Sequence, residues 1–326
     1  MTAFAVRPAL PEDAEAICAL LNAVDVIEIG RPETDLVSVR ADLDHPEADL
    51  PNNSWVGFHG DELVVYGLLW DDSGADRIDM DQYVLPAHQE AAAVVLGMME
   101  ERARAKAAAN GADRAVLHLH LNIEPTLDTT LLTGRGWRVV RRYHVLTRPL
   151  DAAADQVPAP PPGVTLRTVR DEADQRLAHA LLQESFADHF DFQPKSYEKW
   201  LADLGELIDW DLVWIASAEG EGDVAAMVTS NHRAAHGWIN ALGVLERGRR
   251  RGLGGFLLSH AFGVYAGLGR DVIGLGVDTA NATGAPRLYE AHDMSRHYAV
   301  DTWEVDLPVV PAPVAGAPAG VGAPTP

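Results

Sequence analysis

The chain has 326 residues, 47% hydrophobic and 23% charged, an ordinary globular composition but long for a single core, so two domains are expected. Its 48 acidic and 26 basic residues give a net charge of -22, which repels nucleic-acid phosphates and anionic lipid and attracts cations. Cys18 is the only cysteine, which excludes an intrachain disulfide and a cysteine-based zinc site, and no run approaches the ~20 apolar residues of a membrane helix.

Glu12, Asp13 and Glu15 stand where a secretory signal would carry basic residues and an apolar run. Residues 1–19 therefore read as the first strand and helix of a domain in a cytoplasmic protein. Strands are expected at 4–7, 55–58 and 63–70, then a strand at 80–85 leading into a long helix at 91–108. A strand at 115–121, a short helix and a last strand complete the first block, 1–150. Residues 151–162, ending Pro158-Ala-Pro-Pro-Pro162, are too proline-dense for a helix interior or a central strand and read as an extended linker. The second block, 163–308, repeats the order: strands at 164–167, 212–216, 224–229 and 238–245, a helix at 254–268 and a strand at 272–277. Val84 corresponds to Val244, and Leu131–Trp137 to Leu288–Met294, so duplication is the economical explanation. Alternating strands and helices argue for a mixed α/β layer fold. Residues 309–326, rich in Ala, Pro and Gly, read as a disordered tail.

The informative stretch runs from Asn240 to Leu258. An apolar strand ends at Val244 or Leu245, a loop with four arginines and several glycines follows, and an apolar-faced helix begins. Glycine lets a bulky anion approach the backbone closely. The helix start offers unpaired N–H groups and the positive end of the helix dipole, so a diphosphate is its natural guest.

Val244, Arg249, Gly252 and Gly254 resemble the acetyl-CoA signature of the GNAT acetyltransferases, Arg/Gln-x-x-Gly-x-Gly/Ala preceded by a strand valine. Downstream, Asn281 and the pair Leu288-Tyr289 match the family pattern, while Asp293-Met294 replaces its Gly-Phe. The resemblance implies two tandem GNAT (acyl-CoA N-acyltransferase) domains, mixed and mostly antiparallel, in an arrangement similar to mycothiol synthase. That substrate is not carried over. It implies acetyl-CoA as co-substrate, held by Gly243, Val244, Arg249, Arg250, Gly252, Leu253, Gly254, Gly255 and Asn281. The thioester carbonyl would be polarised by N–H groups near Gly243–Val244, where family members carry a strand bulge. Tyr289 would serve as general acid toward the leaving sulfur; a tyrosine packed in the core is the alternative. The first block has Gln89, Ala92 and Val94 at the Arg249, Gly252 and Gly254 positions and Leu132 at that of Tyr289. It is expected to be a degenerate copy, structural or part of the substrate wall.

A lysine-like amine with pKa near 10.4 is neutral only about once in a few thousand molecules at pH 7, so a base is needed. Asn240 stands where many relatives carry a glutamate and cannot serve. His189 and Glu184 are the leading candidates, with Asp188, Asp278 and His236 as further ones; for His189 a surface or packing role is the alternative. His118 and His120 share a strand face as a possible metal pair, but no third ligand is evident and no metal is expected. The acceptor is expected to be the primary amine of a small molecule, with a cationic or aminoglycoside-like metabolite as one candidate, since the acidic balance attracts cations; simple solubility is the other reading of that charge. A protein N-terminal or lysine acetyltransferase, a non-catalytic acetyl-CoA-binding regulator and transfer of a longer acyl group remain open. Monomer and homodimer are equally open.

Overall fold

The computed structural model describes residues 4–71, 73–205, 208–230, 236–281 and 283–309. The tail expected over 309–326 lies, beyond Val309, outside the described residues. The first block forms β1 (Ala5–Arg7), α1 (Ala14–Ile29), α2 (Leu36–Asp44), α3 (Leu50–Asn53), β2 (Ser54–His59) and β3 (Glu62–Trp70). It continues with β4 (Arg77–Val84), α4 (Gln89–Ala109), β5 (Arg114–Asn122), α5 (Thr129–Thr133) and β6 (Arg138–Pro149). The second forms β7 (Val164–Thr168), α6 (Glu172–Phe186), α7 (Tyr197–Leu204), β8 (Val213–Ala218), β9 (Gly222–Ser230) and β10 (His236–Val244). It closes with α8 (Leu253–Gly267), β11 (Val272–Asp278), α9 (Ala285–Glu290) and β12 (Ser295–Pro308).

Helix ends follow capping chemistry. The Asp35, Asp171 and Ser196 side chains accept backbone N–H groups at the starts of α2, α6 and α7, satisfying donors that have no partner inside the helix. These caps precede apolar stripes: Ala178, Leu181 and Leu182 of α6 are buried, at the helical spacing that turns one face to the core. Among the described residues no helix is long and apolar enough to cross a membrane.

Among the described residues, twelve strands join one sheet, in the order β1-β2-β3-β4-β5-β12-β6-β11-β10-β9-β8-β7. Pairing is antiparallel except β4 with β5 and β10 with β11. Each half covers both faces of its part of the sheet. In the first, α4 packs over one face and α1 with α2 over the other. In the second, α8 and α6 do the same.

The order of strands shows an exchange. β6, the end of the first half, pairs with β11 of the second; β12, the end of the second, pairs with β5 of the first; and the two exchanged strands pair with each other at the seam. The cores are shared accordingly. Val305 and Leu307 of β12 are buried with α4 in the first half, and Leu146 of β6 is buried with α8 in the second. Burying each such side chain stabilises the fold by about 1.5–3 kcal/mol, so each half depends on a strand from the other. The linker is not loose. A Cβ on Gly263 of α8 would stand 2.5 Å from the Val157 backbone nitrogen, and Arg148 pairs with Asp155 at 2.8 Å.

Candidate functional site

β10 and β11 pair only where His236–Ile239 meet Val272–Leu275, although the strands run on to Val244 and Asp278. Beyond that point they diverge. The register of β10 against β9 slips between Ile239 and Ala241, so Asn240 is the extra residue of a bulge, which bends its strand. The bulge expected near Gly243–Val244 is therefore displaced: both residues keep regular pairs, with Ala226 and Ala225. Gly243 matters for another reason. A Cβ there would lie 2.1 Å from the Ser185 Oγ, so its absence lets α6 close over the strand.

The divergence opens into a cavity of about 1030 Å³. Its lining includes all nine residues predicted to hold a cofactor, Gly243, Val244, Arg249, Arg250, Gly252, Leu253, Gly254, Gly255 and Asn281, together with Tyr289 and His189. Gly252 caps α8 with φ 75°, a left-handed conformation that favours glycine. The first bond of α8 runs from the Phe256 N–H to the Gly252 carbonyl, which leaves the N–H groups of Leu253, Gly254 and Gly255 without intrahelical partners. Arg249 and Arg250 sit exposed on the rim, and the Arg249 Nε donates to the Val244 carbonyl at 3.0 Å. Arg251 turns away to Glu221. The Leu253 side chain is buried in a small apolar cluster, so only its backbone is available to a guest.

Two glycines have a role that local sequence does not reveal. A Cβ on Gly254 would approach Leu288 Cδ2 to 2.9 Å, and one on Gly255 would approach the His292 ring to 2.8 Å. Both therefore let α8 lie against the α9 segment, which carries Tyr289. That tyrosine is buried, and burial pushes its pKa up to about 12, so it is protonated at neutral pH. Among the described residues no partner hydrogen-bonds its hydroxyl. Asn281 shapes the loop before α9: its Oδ1 accepts from the Thr283 N–H at 2.8 Å.

The candidate bases separate. His189 lines the cavity, its ring edge-on to Phe186 with centroids 4.4 Å apart. Burial, aided by Arg249 and opposed by Asp278 and Asp188, holds it below the ordinary histidine range. Asp278 also lines the cavity, but its carboxylate accepts from the Arg141 Nη2 at 2.6 Å and from the Ala280 N–H at 2.9 Å. Glu184 does not face the cavity; it is exposed and accepts from Arg247 at 3.3 Å. Asp188 is exposed outside the lining, and His236 lies at the closed end of the β10–β11 pair, opposite Val272.

One part of the cavity wall was not anticipated. Tyr143, on the exchanged β6, lines it, and neighbouring Arg141 both pairs with Asp278 and lies 4.7 Å above the Phe190 ring. The two exchanged strands are long, 12 and 14 residues, but their local sequence does not mark the exchange.

The corresponding place in the first half is filled. β4 and β5 also stop pairing early, after Met80 and Leu119, but side chains bridge the opening. Gln89 donates to the Thr126 carbonyl at 2.9 Å and accepts from the Asp128 N–H at 2.8 Å. Glu28 of α1 accepts from the Thr126 N–H at 2.6 Å and from Asn122. Leu132, at the Tyr289 position, is fully buried.

Residues 176–294 match the model of the Acetyltransferase (GNAT) family. No curated protein matches the chain. Among solved structures, a GCN5-related N-acetyltransferase from Sphaerobacter thermophilus is similar with a TM-score of 0.77 at 24% identity, over 94% of this chain and 96% of that one. A tandem GNAT protein from the clavulanic acid biosynthesis pathway gives 0.68 at 15% identity, over 95% and 100%. The N-myristoyltransferase of Saccharomyces cerevisiae gives 0.63 at 10% identity, over 93% and 80%. At these identities the likeness is one of fold.

Proposed function

With residues 176–294 forming a GNAT acetyltransferase domain, we propose that the chain transfers an acetyl group from acetyl-CoA directly to the primary amine of a small molecule. The observation that carries the proposal is that the N-terminus of α8 and Tyr289 of α9 line one cavity, at the opening between β10 and β11. The diphosphate of the co-substrate meets the free N–H groups of Leu253, Gly254 and Gly255, where the helix dipole is also favourable. Arg249 and Arg250 on the rim add positive charge. The thioester arm runs into the opening along Gly243 and Val244, past Asn281.

The amine nitrogen then attacks the thioester carbonyl carbon. The N–C bond forms, the C–S bond breaks, and the electron pair leaves on sulfur. His189, neutral at pH 7 because its pKa lies below the ordinary range, takes the proton that the ammonium must lose before it attacks, and the nitrogen gives its second proton to solvent as the amide forms. The Tyr289 hydroxyl donates a hydrogen bond to the departing sulfur. Its pKa of about 12 lies well above the ~8.5 of an ordinary thiol, so complete proton transfer would cost roughly 5 kcal/mol. The tyrosine therefore acts by stabilising the thiolate, and solvent supplies the final proton.

The test is release of free thiol from acetyl-CoA across a panel of small amines. Turnover on a small amine is expected. Tight acetyl-CoA binding with no release on any small amine would overturn the proposal.

A further inference from the structure

Beside the main cavity lies a second one of about 300 Å³, lined by Arg77, Asp79, His118, His120 and Thr302 together with Tyr143, Phe190, Asp191 and Gln193. The last four also line the main cavity, so the two share a wall. The second pocket sits on the seam: Arg77 to His120 come from β4 and β5, Tyr143 and Thr302 from the exchanged strands, and Phe190 to Gln193 from the segment after α6. Its volume is at the lower end of the range for small-molecule sites.

The charged groups inside it are already paired with one another. Arg77 lies between two carboxylates, 2.9 Å from Asp79 and 2.6 Å from Asp191. His118 lies between Asp191 at 3.5 Å and Glu304 at 3.0 Å, and Glu304 is held from its other side by Arg138. His120 contacts the Thr302 hydroxyl at 3.1 Å and Asp79 at 3.7 Å. Burial and Arg77 hold His118 below its usual range. An ammonium would meet Arg77 at close quarters, and a carboxylate would meet Asp79 and Asp191. A hydroxyl both donates and accepts, and so matches a wall in which donors and acceptors alternate.

We infer that this seam pocket is a subsite for the non-reacting end of the acceptor and that it takes an uncharged, hydroxyl-rich group. The acceptor is then a polyhydroxylated amine, its nitrogen in the main cavity and its hydroxyls against residues of the first half. The inference rests on reading the main cavity as the site of amine acetylation. It gives the half that lost its own cofactor site a task, the selection of the acceptor.

The test compares glucosamine with cyclohexylamine, two six-membered rings with one amine each that differ in their oxygen atoms. Binding of each to the full chain saturated with CoA is measured by calorimetry and ligand-observed NMR. The wild type is expected to prefer glucosamine at least ~10-fold, the scale of one or two net hydrogen bonds. His120→Phe and Gln193→Ala, from different segments of the wall, should each reduce that preference ~3-fold or more and leave CoA affinity unchanged. Equal affinity for the two amines, no binding of glucosamine, or a preference that survives in both folded variants would overturn the subsite. Binding with the expected preference but no acetyl transfer would overturn the proposed reaction and leave the subsite standing.

Discussion

Replacing Tyr289 by Phe removes one oxygen and keeps the ring. The hydroxyl has no partner among the described residues, so its loss leaves no donor or acceptor stranded, and stability should change by less than ~0.5 kcal/mol. Acetyl-CoA affinity should be unaffected, because the helix N–H groups that receive the diphosphate are untouched. What is lost is a hydrogen bond to a sulfur that becomes charged only as the C–S bond breaks. Hydrogen bonds to charged groups are worth about 1.5–3 kcal/mol, which predicts a fall in kcat of roughly 10- to 150-fold with little change in KM. The elevated pKa of about 12 argues against the larger losses of full general-acid catalysis. It also means that Tyr289 stays protonated through the working range, so it contributes no alkaline limb below pH ~10. Single-turnover measurement isolates the chemical step from product release. A wild-type single-turnover rate in Tyr289→Phe would refute the reasoning and leave the tyrosine as a packing residue.

Four further outcomes are expected. Calorimetry should find one acetyl-CoA per chain, because Gln89 and Glu28 bridge the opening in the first half; two equivalent tight sites would contradict this. Gly254→Val should weaken acetyl-CoA by about tenfold, since a side chain there must displace Leu288, 2.9 Å away, whereas Gly254→Ala, which needs only a shift of a flexible leucine tip, should cost less; equal affinity for both variants and the wild type would move the diphosphate elsewhere. His189 acts in its neutral form and its pKa is depressed, so kcat/KM should be retained as pH falls to ~6.5 and decline only below it, with the decline abolished in His189→Ala. Residues 1–150 or 163–326 produced alone should lack a cooperative melting transition, and production of both together should restore one, because β5 and β11 each lose a central partner in isolation.

Most of the secondary structure was legible because each strand and helix writes its own period into the chain. The strand expected at 115–121 is β5 (Arg114–Asn122), and the helix expected at 254–268 is α8 (Leu253–Gly267). The loop between β10 and α8 was legible for the same reason: its glycines, arginines and flanking elements are contiguous. What could not be read is pairing at a distance. An alternating strand looks the same whichever neighbour it has, so nothing in residues 138–149 says that Val145 faces Gly276, and Tyr143 was missed in consequence. Gly254 was identified as a close-approach position, but part of what approaches it is Leu288, a partner only tertiary packing reveals. Glu184 and His189 stand five residues apart at the end of one helix, and only the turn of the chain sends one to solvent and the other into the cavity.

The exchanged strands also bear on how the molecule comes into being. The ribosome makes β5 and β6 early, yet the partner that covers β5 is β12, which arrives roughly 180 residues later. At ~5–20 residues per second that is a wait of roughly 9–36 s. Through this interval the first half holds an unfinished sheet edge and a core without Val305 and Leu307, and for most of it β6 has no β11 to join. Pairing across so long a span of chain is entropically slow. An open edge is also a template for other chains. The nascent protein is therefore exposed to intermolecular strand pairing until β12 fills the gap between β5 and β6.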